Sequence, residues 1–405
     1  NDALPISLNS ASFKIKDAQG NYVVQKVSGT KVDTFTTNSD NEIIPVVEKG
    51  TVTLPLMLNA GTYTIEELKT PKGFLDLEKP VEFVISSTYD YDVDQDADPI
   101  VEVKIKNRQP KGEIKLNKTV MDLDTDTDLV DRSDLSKIQF VLKAKEDIYS
   151  SIDGSLMFEK DSVITTENSG AIVNTGSEVG NGIYALSLDG HLNISNLPMS
   201  TKGASYYLQE VKTLDGCVLD TAQYDAVFKQ SDFTTKNYIK SFDVENKTTD
   251  FEFNKTDVTG DKEVEGAQLT ITDEDGNVVD QWTSDGKVHS IEGLVVGKTY
   301  TLSETVTAKD YVKATDIKFT VKNSSELEKV TMKDKQVFVS KTTVGGEEVT
   351  GAHMQIIDED GNIIDEWYSE GKSHIANGLE EGKTYTLHED LSPLGFNLAN
   401  DFTFE

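Results

Sequence analysis

Sulfur is nearly absent from this chain. One cysteine, Cys217, in 405 residues excludes an internal disulfide framework and any cysteine-built zinc or iron–sulfur centre, since each needs several sulfurs. Basic charge is also scarce. Lys plus Arg total 39 against 71 Asp plus Glu, a net charge of −32, and such a field repels phosphate backbones and anionic headgroups. The expectation is therefore no nucleic-acid partner. No apolar run approaches the roughly 18–20 residues that cross a bilayer, and no signal segment precedes Asn1. Membrane insertion is not expected, and the chain reads as a mature or excised soluble segment. No G-x-S-x-G, P-loop or G-x-G-x-x-G motif stands in a strand-to-helix setting, so no enzyme and no cofactor is expected.

What is present is short-period alternation. Phe13-Lys14-Ile15-Lys16, Val101-Glu102-Val103-Lys104-Ile105 and Leu269-Thr270-Ile271-Thr272 alternate apolar and polar at period two, which predicts strands. Gln19-Gly20-Asn21, Asp275-Gly276-Asn277 and Asp360-Gly361-Asn362 supply the positive φ of hairpin turns. No long amphipathic helix is visible, and the length suits two to four domains.

Self-similarity organises these strands. EVEGAQLTITDEDGNVVDQW…GKTYTLSE at 263–304 recurs as EVTGAHMQIIDEDGNIIDEW…GKTYTLHE at 348–389, and looser copies hold Gly61–Glu67 and Gly203–Glu210. Four repeats result. Each contains Y-x-[IL]-x-E, which at period two puts the tyrosine, the aliphatic residue and the glutamate (Glu67, Glu210, Glu304, Glu389) on one face of a strand. Repeats two to four open with a strand ending in Lys-Thr, giving Lys118, Lys255 and Lys341. Repeats one to three close on Asn107, Asn246 and Asp334. The lysine-to-glutamate spacing is 49 in repeat three and 48 in repeat four but 92 in repeat two, which implies an insertion of roughly 40 residues there.

These residues resemble the Cna B-type, or SpaA-like, isopeptide-forming domains of Gram-positive pilins and adhesins. Thr70-Pro71-Lys72-Gly73-Phe74 and Ser392-Pro393-Leu394-Gly395-Phe396 are similar to the family's continuation after the glutamate. Leu214-Asp215-Gly216-Cys217 and Ala308-Lys309-Asp310-Tyr311 follow it more loosely. The resemblance implies an all-β protein of tandem immunoglobulin-like (Cna B-type) β-sandwich domains, at 1–110, 111–248, 249–336 and 337–405. In each, a lysine amine condenses with an Asn or Asp side chain with help from the glutamate. The implied crosslinks are Lys118–Asn246 assisted by Glu210 and Lys255–Asp334 assisted by Glu304. The residue types suit the chemistry. Burial lowers a lysine's pKa and raises a carboxylic acid's, so a neutral amine can face a protonated glutamate. Repeat one offers Glu67 and Asn107, but its aligned lysine falls at or before Asn1, with Lys14 and Lys16 as candidates only on a shifted alignment. Repeat four offers Lys341 and Glu389 with its acceptor placed beyond Glu405.

Other features read as structural. The acidic runs Asp90–Asp96 and Asp122–Asp128 lack EF-hand spacing and are expected to be solvated loops, so no metal is predicted. His289 and His374, which follow Trp282 and Trp367, fit strand positions better than zinc ligation. Cys217 is expected to be a buried small residue. Asn323 is the nearest rival acceptor in repeat three, but it sits in a turn. The resulting reading is a structural stalk segment on the extracellular, cell wall-attached surface of a Gram-positive bacterium, next to other domains of the same protein or pilus. The alternative is an adhesive tip that binds a host or glycan ligand through the insertion at 125–200. The lack of a Tyr-Pro-Lys pilin motif weighs against a shaft subunit.

Overall fold

The computed structural model describes residues 11–36, 52, 54, 57–86 and 101–405; the acidic run at 90–96 lies outside them. Strands dominate, and the one α-helix among the described residues is the four-residue Thr166–Ser169. The chain divides into two compact bodies. The first holds Asn1–Thr119, Ser133–Thr213 and Asp220–Val244, and the second Val120–Arg132, Leu214–Leu219 and Glu245–Glu405.

In the first body, repeat one forms a sheet from β1 (Ser12–Asp17), β2 (Phe35–Thr36), β3 (Gly61–Lys69) and β4 (Val81–Ile85), in the order β2-β1-β3-β4. Phe13, Ile15, Tyr63 and Ile65 fill its core. Repeat two begins with β5 (Lys111–Val120), and β6 (Thr127–Asp128) follows it in sequence. Besides a short hairpin of Ile148–Tyr149 and Leu156–Phe158, the repeat contains β7 (Gln139–Ala144), β8 (Ile172–Thr175), β9 (Ser177–Gly180), β10 (Ile183–Ala185), β11 (His191–Pro198), β12 (Ala204–Lys212), β13 (Gln223–Phe228) and β14 (Asn237–Asn246). They build two sheets, β8-β11-β5-β14 and β9-β10-β7-β12-β13. Strands β10 and β11 hold the places that later recur in repeat three, and the additional residues of this repeat include the sheet-edge strands β8 and β9.

In the second body, repeat three contains β15 (Asp250–Asp257), β16 (Gln268–Thr272), β17 (Val278–Thr283), β18 (His289–Glu292), β19 (Thr299–Val306), β20 (Ile317–Thr320) and β21 (Glu328–Asp334). The sheets β21-β15-β18-β6 and β17-β16-β19-β20 enclose Phe251, Phe253, Leu269, Ile271, Ile291, Tyr300, Leu302 and Met332. This is a β-sandwich, as period-two alternation on both sheets requires. Repeat four contains β22 (Phe338–Val339), β23 (Thr350–Ile357), β24 (Ile363–Glu370), β25 (His374–Ile375), β26 (Tyr385–Leu391) and β27 (Phe402–Phe404). Here β22 pairs only with β25, opposite the sheet β24-β23-β26-β27.

The acidic run 122–128 departs from the expected solvated loop. Its aspartates are exposed, but its backbone lies along repeat three, where β6 pairs in parallel with β18 through Ile291↔Thr127 and Glu292↔Asp128. Asp126 Oδ2 accepts from Ser290 N at 2.7 Å, and Thr127 Oγ1 donates to Asp280 at 3.0 Å. Alternation puts the acids outward and the threonines and leucines inward, and the last two residues of the run form an edge strand while 122–126 remain irregular.

Candidate functional site

In repeat three, Phe251, Phe253 and Lys255 alternate inward from β15, so the lysine follows two phenylalanines into the core. The parallel register sets Lys255 opposite Met332 and Asp257 opposite Asp334. Asp334 thereby points inward from the neighbouring strand, while Glu304 points inward from β19 of the facing sheet. Lys255, Glu304 and Asp334 are all at most 2 % exposed. Lys255 Nζ hydrogen-bonds Asp334 Oδ1 and lies 3.2 Å from Glu304 Oε1. Glu304 Oε2 accepts from Ala314 N at 2.9 Å.

Burial pushes the Asp334 carboxyl up to about 6, with the neighbouring Glu304 adding to the rise against the pull of Lys255. Glu304 Oε1 and Asp334 Oδ2 are buried atoms without a hydrogen bond, Glu304 Oε1 having only its ion-pair contact with Lys255 Nζ. The set therefore brings an amine nitrogen, a carboxyl carbon and a second carboxyl together in a dry core.

In repeat two, Lys118 on β5 and Glu210 on β12 have no exposed side-chain surface, and their charged atoms lie 3.7 Å apart. Phe140 stands 5.6 Å from the ammonium by its ring centre, a cation–π distance that partly offsets the lost hydration. Glu210 Oε2 accepts from Asp220 N at 2.8 Å. Asn246, the last residue of β14, is 1 % exposed.

In repeat one, Glu67 accepts both bonds of Asn107 Nδ2, at 3.0 and 2.9 Å, with Thr70 Oγ1 and Leu77 N as further donors. Burial raises its pKa. Lys14 and Lys16 do not join this pair. They bond Asp33 at 3.0 Å and Glu66 at 2.6 Å, on the face opposite Phe13 and Ile15. In repeat four, Lys341 lies 3.0 Å from Glu389, which also accepts from Ala399 N at 2.5 Å.

One contact recurs that residue types do not announce. Each box glutamate accepts the backbone N–H ten residues on: Leu77, Asp220, Ala314 and Ala399. Between them lies a four-residue turn, closed by Phe74 N to Pro71 O, Cys217 N to Leu214 O, Tyr311 N to Ala308 O and Phe396 N to Pro393 O, all at 3.1–3.2 Å. The third residue has positive φ in every copy: Gly73 at 93°, Gly216 at 82°, Asp310 at 69° and Gly395 at 94°. This geometry favours glycine. At Gly73 a Cβ would also meet Ser151 Oγ at 2.8 Å. Two of the turns meet a side-chain carboxamide, Gly73 N donating to Gln230 at 2.9 Å and Asp310 N to Asn377 at 2.8 Å, and two residues past the repeat-two turn Leu219 N donates to Asn323 at 2.9 Å. Asn323, the rival acceptor, thus sits exposed and bound to Leu219.

The other candidates resolve into scaffold. His289 and His374 stack on Trp282 and Trp367 at 4.1 and 4.0 Å and bond Asp280 and Asp365. Asp122, Asp128 and Glu292 converge, but Arg132 already bonds both Asp128 and the buried Glu292, and Thr248 donates to Glu292 at 3.0 Å. That carboxylate is satisfied by protein. Cys217 is buried in its turn.

Comparison with known proteins places two segments of the chain. Residues 6–99 and 249–336 match SpaA, a prealbumin-like fold domain. No curated protein gives a significant match. Among solved structures, the Bacillus anthracis TIE protein is similar at 17 % identity and TM-score 0.32, over 100 % of this chain and 66 % of that one. BcpA, the major pilin subunit of Bacillus cereus, is similar at 15 % identity and TM-score 0.35, over 81 % and 95 %. The shaft pilin spaA from Lactobacillus rhamnosus GG is similar at 15 % identity and TM-score 0.24, over 56 % and 97 %. The segments 6–99 and 249–336, each read from the sequence as part of a β-sandwich repeat, are thus SpaA-type domains of prealbumin-like fold.

Proposed function

We propose that the chain is a stalk segment of a Gram-positive surface pilin or adhesin, in which repeats 111–248 and 249–336 are each closed by a spontaneous isopeptide bond. The observation that carries this reading is the buried Lys255–Glu304–Asp334 set, in which all three groups are within reaction distance and shielded from water. Neutral Lys255 Nζ adds to Asp334 Cγ of the protonated acid, the C–N bond forms, and the C–OH bond breaks. Glu304 takes a proton from the added nitrogen and passes it to the departing hydroxyl, which leaves as water. The fold supplies the effective concentration. In repeat two, Lys118 and Asn246 form the same amide with loss of ammonia, assisted by Glu210. Each bond turns over once. Because the lysine opens the repeat and the acceptor closes it, pulling force passes through the crosslink and bypasses most of the sandwich.

Tandem mass spectrometry of a tryptic digest tests this. A branched peptide joining Lys255 to Asp334 is expected, and a digest in which Lys255 is cleaved and Asp334 sits in a linear peptide overturns it.

A further inference from the structure

We infer that the glutamate of the repeat-three crosslink is positioned by the repeat that follows it. The inference rests on the crosslink reading above and concerns where the carboxyl gets its orientation. Nine residues after the box glutamate, a backbone N–H bonds the next repeat; ten residues after, the adjoining N–H bonds the glutamate itself. In repeat one, Asp76 N donates to Phe233 O at 2.8 Å and Leu77 N to Glu67 at 3.3 Å. In repeat three, Lys313 N donates to Leu379 O at 2.8 Å, Glu381 N returns a bond to Lys313 O at 3.0 Å, and Ala314 N donates to Glu304 Oε2 at 2.9 Å. The same short segment puts Val312 in the core of repeat four and Ala314 in the core of repeat three. Two successive peptide groups thus belong to two different sandwiches.

The donor has a chemical consequence. An N–H on Glu304 Oε2 disfavours a proton there and fixes the carboxyl plane, leaving Oε1 as the oxygen that faces Lys255 Nζ and exchanges protons with it. Repeat four makes the same contact with a more exposed loop. Ala399 N still reaches Glu389, but Leu394 is fully exposed, Phe396 49 % exposed and Leu398 59 % exposed. The contact is built into the loop, and the following repeat immobilises it. Restraint of a catalytic carboxyl by its supporting groups is what raises the fraction of time spent in reactive geometry.

Asn377 is the testable anchor, because it lies in repeat four, touches neither Lys255 nor Asp334, and holds the turn through Asp310 N at 2.8 Å. The full 405-residue chain is synthesised in a cell-free system and quenched at intervals, and the branched Lys255–Asp334 peptide is quantified against the Lys118–Asn246 peptide in the same sample. Asn377→Ala is expected to slow the repeat-three bond about three- to tenfold, the effect of one lost hydrogen bond, with repeat two unchanged. Asn377→Asp keeps the accepting oxygen and restores the parental rate. Val312→Ala loosens the same segment by an apolar change and slows the same bond. If the parent forms no Lys255–Asp334 peptide, the crosslink reading itself fails. If the parent forms it and both Asn377→Ala and Val312→Ala match its rate, successor positioning is wrong.

Discussion

Lys255 and Lys341 hold equivalent places in near-copied repeats, yet the first side chain is 1 % exposed and the second 15 %. Around Lys255, β15 runs eight residues between β18 and β21. Around Lys341, the only strand is the two-residue β22, which pairs with β25 alone. The turns differ in the same sense: Tyr311 is 9 % exposed and its counterpart Phe396 49 %. The glutamate clamp is nevertheless the same in both. Local sequence therefore dictates strand, turn and clamp in both copies, while burial of Lys255 and of its turn goes with the flanking strands β18 and β21 and with the bonds that Asp310 and Lys313 make to repeat four. Desolvation of the amine is the part supplied from a distance.

Removing one partner from the complete set sharpens this contrast most. Lys255→Met leaves two buried carboxyls without a cation, a cost of about 3–5 kcal/mol. It also forgoes the crosslink of a 79-residue separation, worth roughly 4–5 kcal/mol in the loop-closure account. The equivalent Lys341→Met is expected to cost far less, and guanidinium unfolding followed by tryptophan fluorescence compares the two. The Lys255→Met loss depends on pH with a definite sign. The folded state holds the Asp334 proton more tightly, at about 6 against 3.8, and loss of the cation only raises it further. Stability of the variant therefore rises as pH falls through about 6 towards 3.8 and declines as pH rises, which melting at pH 5 and pH 8 reads directly.

The turns give the next contrast. Phe74 is 4 % exposed, and Phe74→Ala is expected to cost about 3–5 kcal/mol. Phe396→Ala, on the exposed copy, should stay within about 0.5 kcal/mol. Equal losses would show that the fourth turn is covered in solution. Smaller again is Gln230→Ala, which deletes the carboxamide bonded to Gly73 and Phe74 at 2.9 and 2.7 Å. A cost of about 1 kcal/mol and faster amide exchange over residues 72–77 are expected, with exchange over 309–314 unchanged.

Much of this site was legible because strand periodicity is a residue-level signal. Tyr300, Leu302 and Glu304 share a buried face as Y-x-[IL]-x-E requires, and two apolar residues at the same period lead Lys255 inward. The glutamate-to-amide clamp was not legible, because every residue but proline carries the same N–H and the donors are Leu, Asp, Ala and Ala. A constant spacing of ten across four copies was its sole trace. Gln230, Asn323 and Asn377 were hidden because their partners lie 157, 104 and 67 residues away. The acidic run was misjudged for a related reason. Its outward aspartates advertise solvent, while the strand that pairs with it, β18, begins at residue 289.

Intact mass of the purified chain tests the central claim most directly. Closure of repeats two and three predicts a mass below that of the sequence by one ammonia plus one water. The unreduced mass of the 405 residues would contradict it, leaving Lys255, Glu304 and Asp334 as a buried ion cluster and nothing more.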